Sequence, residues 1–180
     1  KSGISGSMYC IQASTSSVEC DSNLIFNNTM PNSSGGSASN IYGYYNSSSP
    51  VSEMIFDNEI YNLTVGGSNT STSALVAGIR SNANAATVKE IYGNHIYDLN
   101  AVSGTGSTGG IFGIYSSLSS SSKIHSNKIH DITNNGSNSL AGGCWVSSGN
   151  GIEIYNNFIS DIKAPNTSNA NGVIGINITS

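Results

Sequence analysis

Three histidines, His95, His125 and His130, ten acidic residues and a single arginine, Arg80, carry most of the acid–base chemistry available to this chain. Hydrolysis of a glycosidic bond needs carboxylates that converge at a spacing set by whether the mechanism retains or inverts. Asp57 and Glu59 are candidates, but the equivalent places in the next copy of their phrase hold Gly93 and His95. Asp98, Asp131 and Asp161 recur at one place of a repeated phrase, together with Asn32 and Asn62. Stacked carboxylates offer the hard oxygen ligands that calcium prefers. Asp and Asn are equally the residues of turns, because their side chains bond following backbone amides. The histidines share their rows with aromatic residues and Lys128, so a small site including Glu59 can be drawn, without an orienting partner or a nucleophile.

Cys10, Cys20 and Cys144 match no metal-binding spacing. Cys144 stands where other copies carry Ile or Tyr, which suits a small buried hydrophobe. Cys10 and Cys20 could form a disulfide in an oxidising compartment. Asn-x-Ser/Thr sequons are frequent, but a chain this rich in Asn, Ser and Thr produces them by chance.

What positions these residues is a repeat. IYGNHIYDL at 91–99 returns in altered form as MIFDNEIYNL, KIHSNKIHDI and EIYNNFISDI. Aligned on a central asparagine, the copies place Asn28, Asn58, Asn94, Asn127 and Asn157 at steps of 30, 36, 33 and 30 residues by subtraction. The alignment gives apolar columns Ile25/Ile55/Ile91/Ile124/Ile154, Met30/Ile60/Ile96/Ile129/Ile159 and Leu63/Leu99/Ile132/Ile162. A second phrase, glycine followed by an apolar or aromatic residue, keeps step at Gly43, Gly78, Gly113, Gly143 and Gly175.

Short β-branched runs of period two, punctuated by Asn and Gly, predict strands, and nothing sustains a helical period. A coil of 30 to 36 residues stacked on its own copies is a parallel β-helix. The expected fold is therefore all-β, a right-handed solenoid of about five to six coils forming one unit over 1–180. Inward aliphatics must sit on their equivalents above and below, each contributing about 1.5–3 kcal/mol when buried. The central asparagines, Asn28, Asn58, Asn94, Asn127 and Asn157, are expected to form an amide ladder at a bend. Outward positions then stack Phe26, Phe56, Tyr92, His125 and Tyr155 in one row and Tyr61, Tyr97 and His130 in another. Such rows could pack on sugar rings or on another molecule.

Charged residues are 9% of the chain and the net charge is −4. No basic stripe exists to neutralise a phosphate backbone, so nucleic acid is not an expected partner. No apolar run reaches the roughly 18 residues needed to span a bilayer. The chain begins without Met and stops inside what reads as a further copy, so it is expected to be a slice of a longer protein.

IFDNEIYNL, IYGNHIYDL, IHSNKIHDI and IYNNFISDI resemble the right-handed parallel β-helix repeats of the pectin-lyase-like superfamily, over nearly all of 24–178. IYNNFISDIKAP...NGVIGI is similar to repeats of very large surface proteins exported by the type IX route. The resemblance implies a secreted or cell-surface location, and a superfamily with lyases, hydrolases, tailspikes and adhesins. A lyase of that fold implies acidic calcium ligands beside an Arg or Lys base, and the register sets no carboxylate cluster beside Arg80. The expectation is a non-catalytic stalk, fibre or adhesin element without a required cofactor, whose partners are other coils of a longer chain or copies of itself. The alternatives are a glycan-binding module using Tyr61, Tyr92, Tyr97 and Tyr155, with Phe56, His125 and His130, and a polysaccharide-degrading enzyme whose site lies partly outside this segment.

Overall fold

A computed structural model describes residues 6–30, 39–66, 75–84, 88–102, 110–117 and 121–179. The described residues form seventeen strands and no helix, so none contains a helix able to cross a membrane. The first sheet stacks β1 (Gly6–Ala13), β4 (Ser39–Asn46), β7 (Leu75–Ser81), β10 (Gly110–Ser116), β13 (Leu140–Val146) and β17 (Val173–Ile178). The second stacks β2 (Ser17–Asp21), β5 (Ser52–Phe56), β8 (Val88–Tyr92), β11 (Ser122–His125) and β14 (Ile152–Tyr155). The third stacks β3 (Leu24–Met30), β6 (Glu59–Val65), β9 (His95–Ala101), β12 (Lys128–Asn134) and β15 (Phe158–Ile159), with β16 (Ile162–Lys163) also on β12. Each strand pairs in parallel with its equivalent one coil away, so the chain is a parallel β-solenoid. It winds through about four turns, fewer than the five to six coils expected. At one end the last coil has the short strands β14 to β16, and β17 closes the first sheet by pairing with β13.

Inward alternation builds the core. Ile55, Ile91, Ile124 and Ile154 are in register, as are Ile60, Ile96, Ile129 and Ile159, and Leu63, Leu99, Ile132 and Ile162. The first copy departs from the expected alignment by five residues. Cys20 opposes Ile55, Ile25 opposes Ile60, and Met30 opposes Val65. The phrase Ile25-Phe26-Asn27-Asn28 imitates Ile-x-x-Asn, whereas the true equivalent runs from Cys20 to Ile25, with a buried thiol in the isoleucine place. The first step is therefore 35 residues, from Asn23 to Asn58.

That slip corrects the asparagine ladder. Asn28 faces Leu63 in register, and among the described residues its amide bonds the Phe26 carbonyl, on the exposed side. Asn23 takes its place, with its backbone N–H and its side-chain amide both donating to Asn58 Oδ1, at 3.0 and 2.9 Å. Asn58 donates to Asn94 Oδ1 at 2.9 Å, Asn94 to Asn127 Oδ1 at 3.0 Å and Asn127 to Asn157 Oδ1 at 2.9 Å. Each amide also donates to carbonyls, as Asn94 does to Ile55 and Tyr92, so the bend leaves its polar groups satisfied without water.

Two further columns explain residue types at the bends. Ser22, Asp57, Gly93, Ser126 and Asn156 share a left-handed conformation just before the ladder. Asn27, Asn62, Asp98, Asp131 and Asp161 share another, with φ between 50° and 56°. Short polar side chains that bond locally tolerate this region, where most residues lose roughly 1–2 kcal/mol. Asn27 holds the position expected for Asn32, which lies outside the described residues. Cys10, Cys20 and Cys144 are free thiols, so the Cys10–Cys20 disulfide is not formed.

The glycine phrase has a steric cause. A Cβ on Gly43 would come within 2.7 Å of Ile60 Cγ2 and one on Gly78 within 2.5 Å of Ile96 Cγ2, and Gly113 and Gly143 meet Ile129 and Ile159 likewise. The first sheet thus lies directly on the isoleucine column of the third. Gly78→Ala is expected to lower unfolding free energy by about 1–3 kcal/mol through overpacking. Gly175→Ala, which meets nothing within 4 Å, should leave it unchanged; urea midpoints of the two variants make the comparison.

Candidate functional site

The corner formed by the second and third sheets carries the predicted aromatic rows. On the second sheet Phe56, Tyr92, His125 and Tyr155 stack at centroid distances of 4.9, 5.1 and 4.7 Å with planes within 6° of parallel. Phe26 does not join them, since Asp21 opposes Phe56. It heads the row of the third sheet instead, where Phe26, Tyr61, Tyr97 and His130 stack at 5.3, 4.8 and 5.2 Å. Rings this close and this parallel lie on one another's faces. Along each row the edges and hydroxyls therefore meet solvent, whereas packing against a sugar ring uses the aromatic face.

Polar side chains tie the rows together. Tyr97 donates to Glu59 Oε1 at 2.9 Å, and desolvation together with that bond pushes its hydroxyl up to about 12. His125 Nε2 lies 3.0 Å from Glu90 Oε1. His95 Nε2 and His130 Nε2 face each other at 2.8 Å, and His130 Nδ1 lies 2.8 Å from Asp131 Oδ2. Burial, Lys128 and His130 push His95 below the usual imidazole range. The expected neighbours of the acidic pair are in place: Glu59 opposes His95, and a Cβ on Gly93 would strike Asp57. Among the described residues no three His, Cys, Asp or Glu side chains are grouped to hold a metal ion, the Asp98, Asp131 and Asp161 column included.

Two clusters escaped the sequence reading. The first is inside the solenoid, where Glu53 and Lys89 oppose each other one coil apart at 0% and 2% exposure. Tyr44 and Asn46 donate to Glu53 Oε1 at 2.8 and 2.9 Å, and Ser81 donates to Oε2. Lys89 Nζ donates to the carbonyls of Ser81, Ala83 and Ser117 at 3.0, 3.1 and 2.7 Å. Burial pulls the Lys89 amine down to about 8 while Glu53 pulls it back, and three carbonyls around Nζ match the three protons of an ammonium. Burial and the adjacent Glu53 raise Tyr44. The signal was present: both residues sit two places before an inward isoleucine, so period two points them inward.

The second cluster covers the outer face of the first sheet. Arg80 donates to the Tyr42 hydroxyl and lies 5.2, 5.8 and 5.4 Å from the ring centres of Tyr42, Tyr45 and Tyr115. Its Nε is buried with no hydrogen-bond partner. Register places Tyr45, Arg80, Tyr115 and Trp145 on four successive strands as a half-exposed strip. Tyr115 and Trp145 meet Phe112 at tilts of 60° and 58°. This is where the arginine weighed as a lyase base lies, beside tyrosines and with no carboxylate in an ion pair with it among the described residues.

No protein family, curated protein or solved structure matches the chain.

Proposed function

We propose that this chain is a non-catalytic structural and adhesive segment of a secreted or cell-surface protein, a stalk or fibre element built as a right-handed, pectin-lyase-like β-helix. The observation that carries the reading is the asparagine ladder from Asn23 to Asn157, continuous through every coil. A solenoid whose coils each bond the next is stabilised by nearest neighbours and extends without limit in one dimension, which suits a spacer. The rows of stacked rings support the same reading, since they spend their faces on each other. The test has two arms. Antibody labelling of intact native cells and their medium should find the chain outside, and a panel of neutral and acidic polysaccharides should yield no new reducing or unsaturated ends. Confinement to the cytosol or cleavage of any polysaccharide would overturn the proposal.

The alternative of a glycan-binding module is favoured by the outer face of the first sheet. There the rings of Tyr115 and Trp145 are tilted rather than stacked, and Arg80 adds hydrogen-bond donors. Trp145 is the only tryptophan, so its fluorescence reports on this face directly. A polysaccharide bound here should shift that emission and should be lost in affinity electrophoresis of Trp145→Ala, with Tyr92→Ala and Tyr97→Ala still binding. The opposite pattern would return the site to the corner rows.

A further inference from the structure

The pairing of His95 with His130 is more than another contact in an aromatic row. We propose that their Nε2 atoms form a two-imidazole site for a divalent transition-metal ion of the zinc class. Asp131 Oδ2 stands 2.8 Å from His130 Nδ1. A carboxylate there holds the proton on Nδ1 and leaves Nε2 with its lone pair, aimed at His95 Nε2 2.8 Å away. This is the arrangement by which carboxylates orient metal-ligating histidines.

The backbone sets the pair. His95 opposes Lys128 in register, so His130 lies diagonally two places along the neighbouring strand. The Tyr97 ring packs against both imidazoles, 4.5 Å from His95 and 5.2 Å from His130, and limits their rotation. Tetrahedral zinc with nitrogens at about 2.0–2.1 Å separates two such ligands by about 3.3 Å. The pair has to open by roughly half an ångström, a small rotation for two partly buried side chains.

The facing charges are mixed. Glu59 flanks His95 on one side, bonded to Tyr97, and Lys128 flanks it on the other, with Asp98 and Asp131 next along the third sheet. With two protein donors and no third grouped among the described residues, water completes the coordination shell. Imidazole nitrogens select zinc, nickel, cobalt and copper over calcium and magnesium, which require oxygen.

Titration calorimetry of the untagged chain with zinc chloride at pH 7.5, and with calcium chloride as the hard-ion control, tests the site. Zinc should bind one to one and calcium should give no heat at this site. His95→Gln and His130→Gln should each weaken zinc binding at least tenfold, Asp131→Asn by about tenfold, and His125→Gln not at all. Urea midpoints near that of the parent chain establish that the variants are folded. Absence of zinc binding, or binding that survives both His95→Gln and His130→Gln, overturns the proposal.

Discussion

Asn94→Ala should lower the unfolding free energy of the solenoid by about 3–5 kcal/mol, and Asn28→Ala should leave it within a few tenths. The difference follows from where each amide points. Removing the Asn94 side chain strands the buried backbone N–H of Asn58, which donates to Asn94 Oδ1 at 3.1 Å. It also deletes the bonds to Ile55, Tyr92 and Asn127. An orphaned buried donor costs about 1–3 kcal/mol, and each further bond contributes about 1 kcal/mol. Asn28 has, among the described residues, a local bond to the Phe26 carbonyl on an exposed surface. Urea unfolding followed by circular dichroism compares the two, with Asn23→Ala as the third variant. If Asn28→Ala were costlier than Asn23→Ala, Asn28 and not Asn23 would be the ladder residue of the first coil. Because coils depend on neighbours, hydrogen exchange in Asn94→Ala should accelerate first in β5, β8 and β11.

Four of the five ladder residues and the isoleucine columns of the later coils could be read from the sequence, because inward positions tolerate so little change. The first coil could not, because Cys20 fills an isoleucine place and Asn28 counterfeits the ladder residue. The aromatic rows were legible as alternation, but the orientation of the rings was not, since it depends on side-chain torsions fixed by packing. Glycine and the residue two places on repeat together, so Tyr45, Arg80, Tyr115 and Trp145 could have been aligned from the Gly43, Gly78, Gly113 and Gly143 steps. That Arg80 packs on three tyrosines emerges only when those coils stack. Glu53 and Lys89 were missed for a different reason: charged residues are rarely fully buried unless paired, and alternation outweighed that preference here.

The Glu53–Lys89 pair gives the second large effect, and the contribution of its lysine depends on pH. Glu53→Gln replaces a group that accepts from Tyr44, Asn46 and Ser81 with an amide offering one acceptor oxygen, and leaves the Lys89 charge uncompensated. Removing one partner of a buried charge pair costs about 3–5 kcal/mol, so the urea midpoint should fall far at pH 7. Adding Lys89→Met should recover part of the loss, with a coupling of about 0.5–3 kcal/mol; strict additivity of the two changes would show that the charges do not act on each other. In the parent chain Lys89 titrates near 8 when folded, against 10.5 for a free side chain. Between these values the unfolded chain binds more protons at this side chain than the folded one, so its contribution to stability rises with pH. The contribution of this lysine is complete only above the unfolded value and is lost as pH falls through about 8. Tyr42, raised to about 12, and Tyr44, also raised, act in the opposite direction once free tyrosine begins to ionise near 10. From about pH 8 to 10 the buried thiols of Cys10, Cys20 and Cys144, all raised above 9.0, also act in that opposite direction, so the lysine is read as a difference: across this range the parent should gain on the order of 1–3 kcal/mol relative to Lys89→Met, which keeps the same thiols. A parallel pH course for the two chains would mean that the three carbonyls hold the ammonium against its burial, with the lysine contributing equally at both ends of that range.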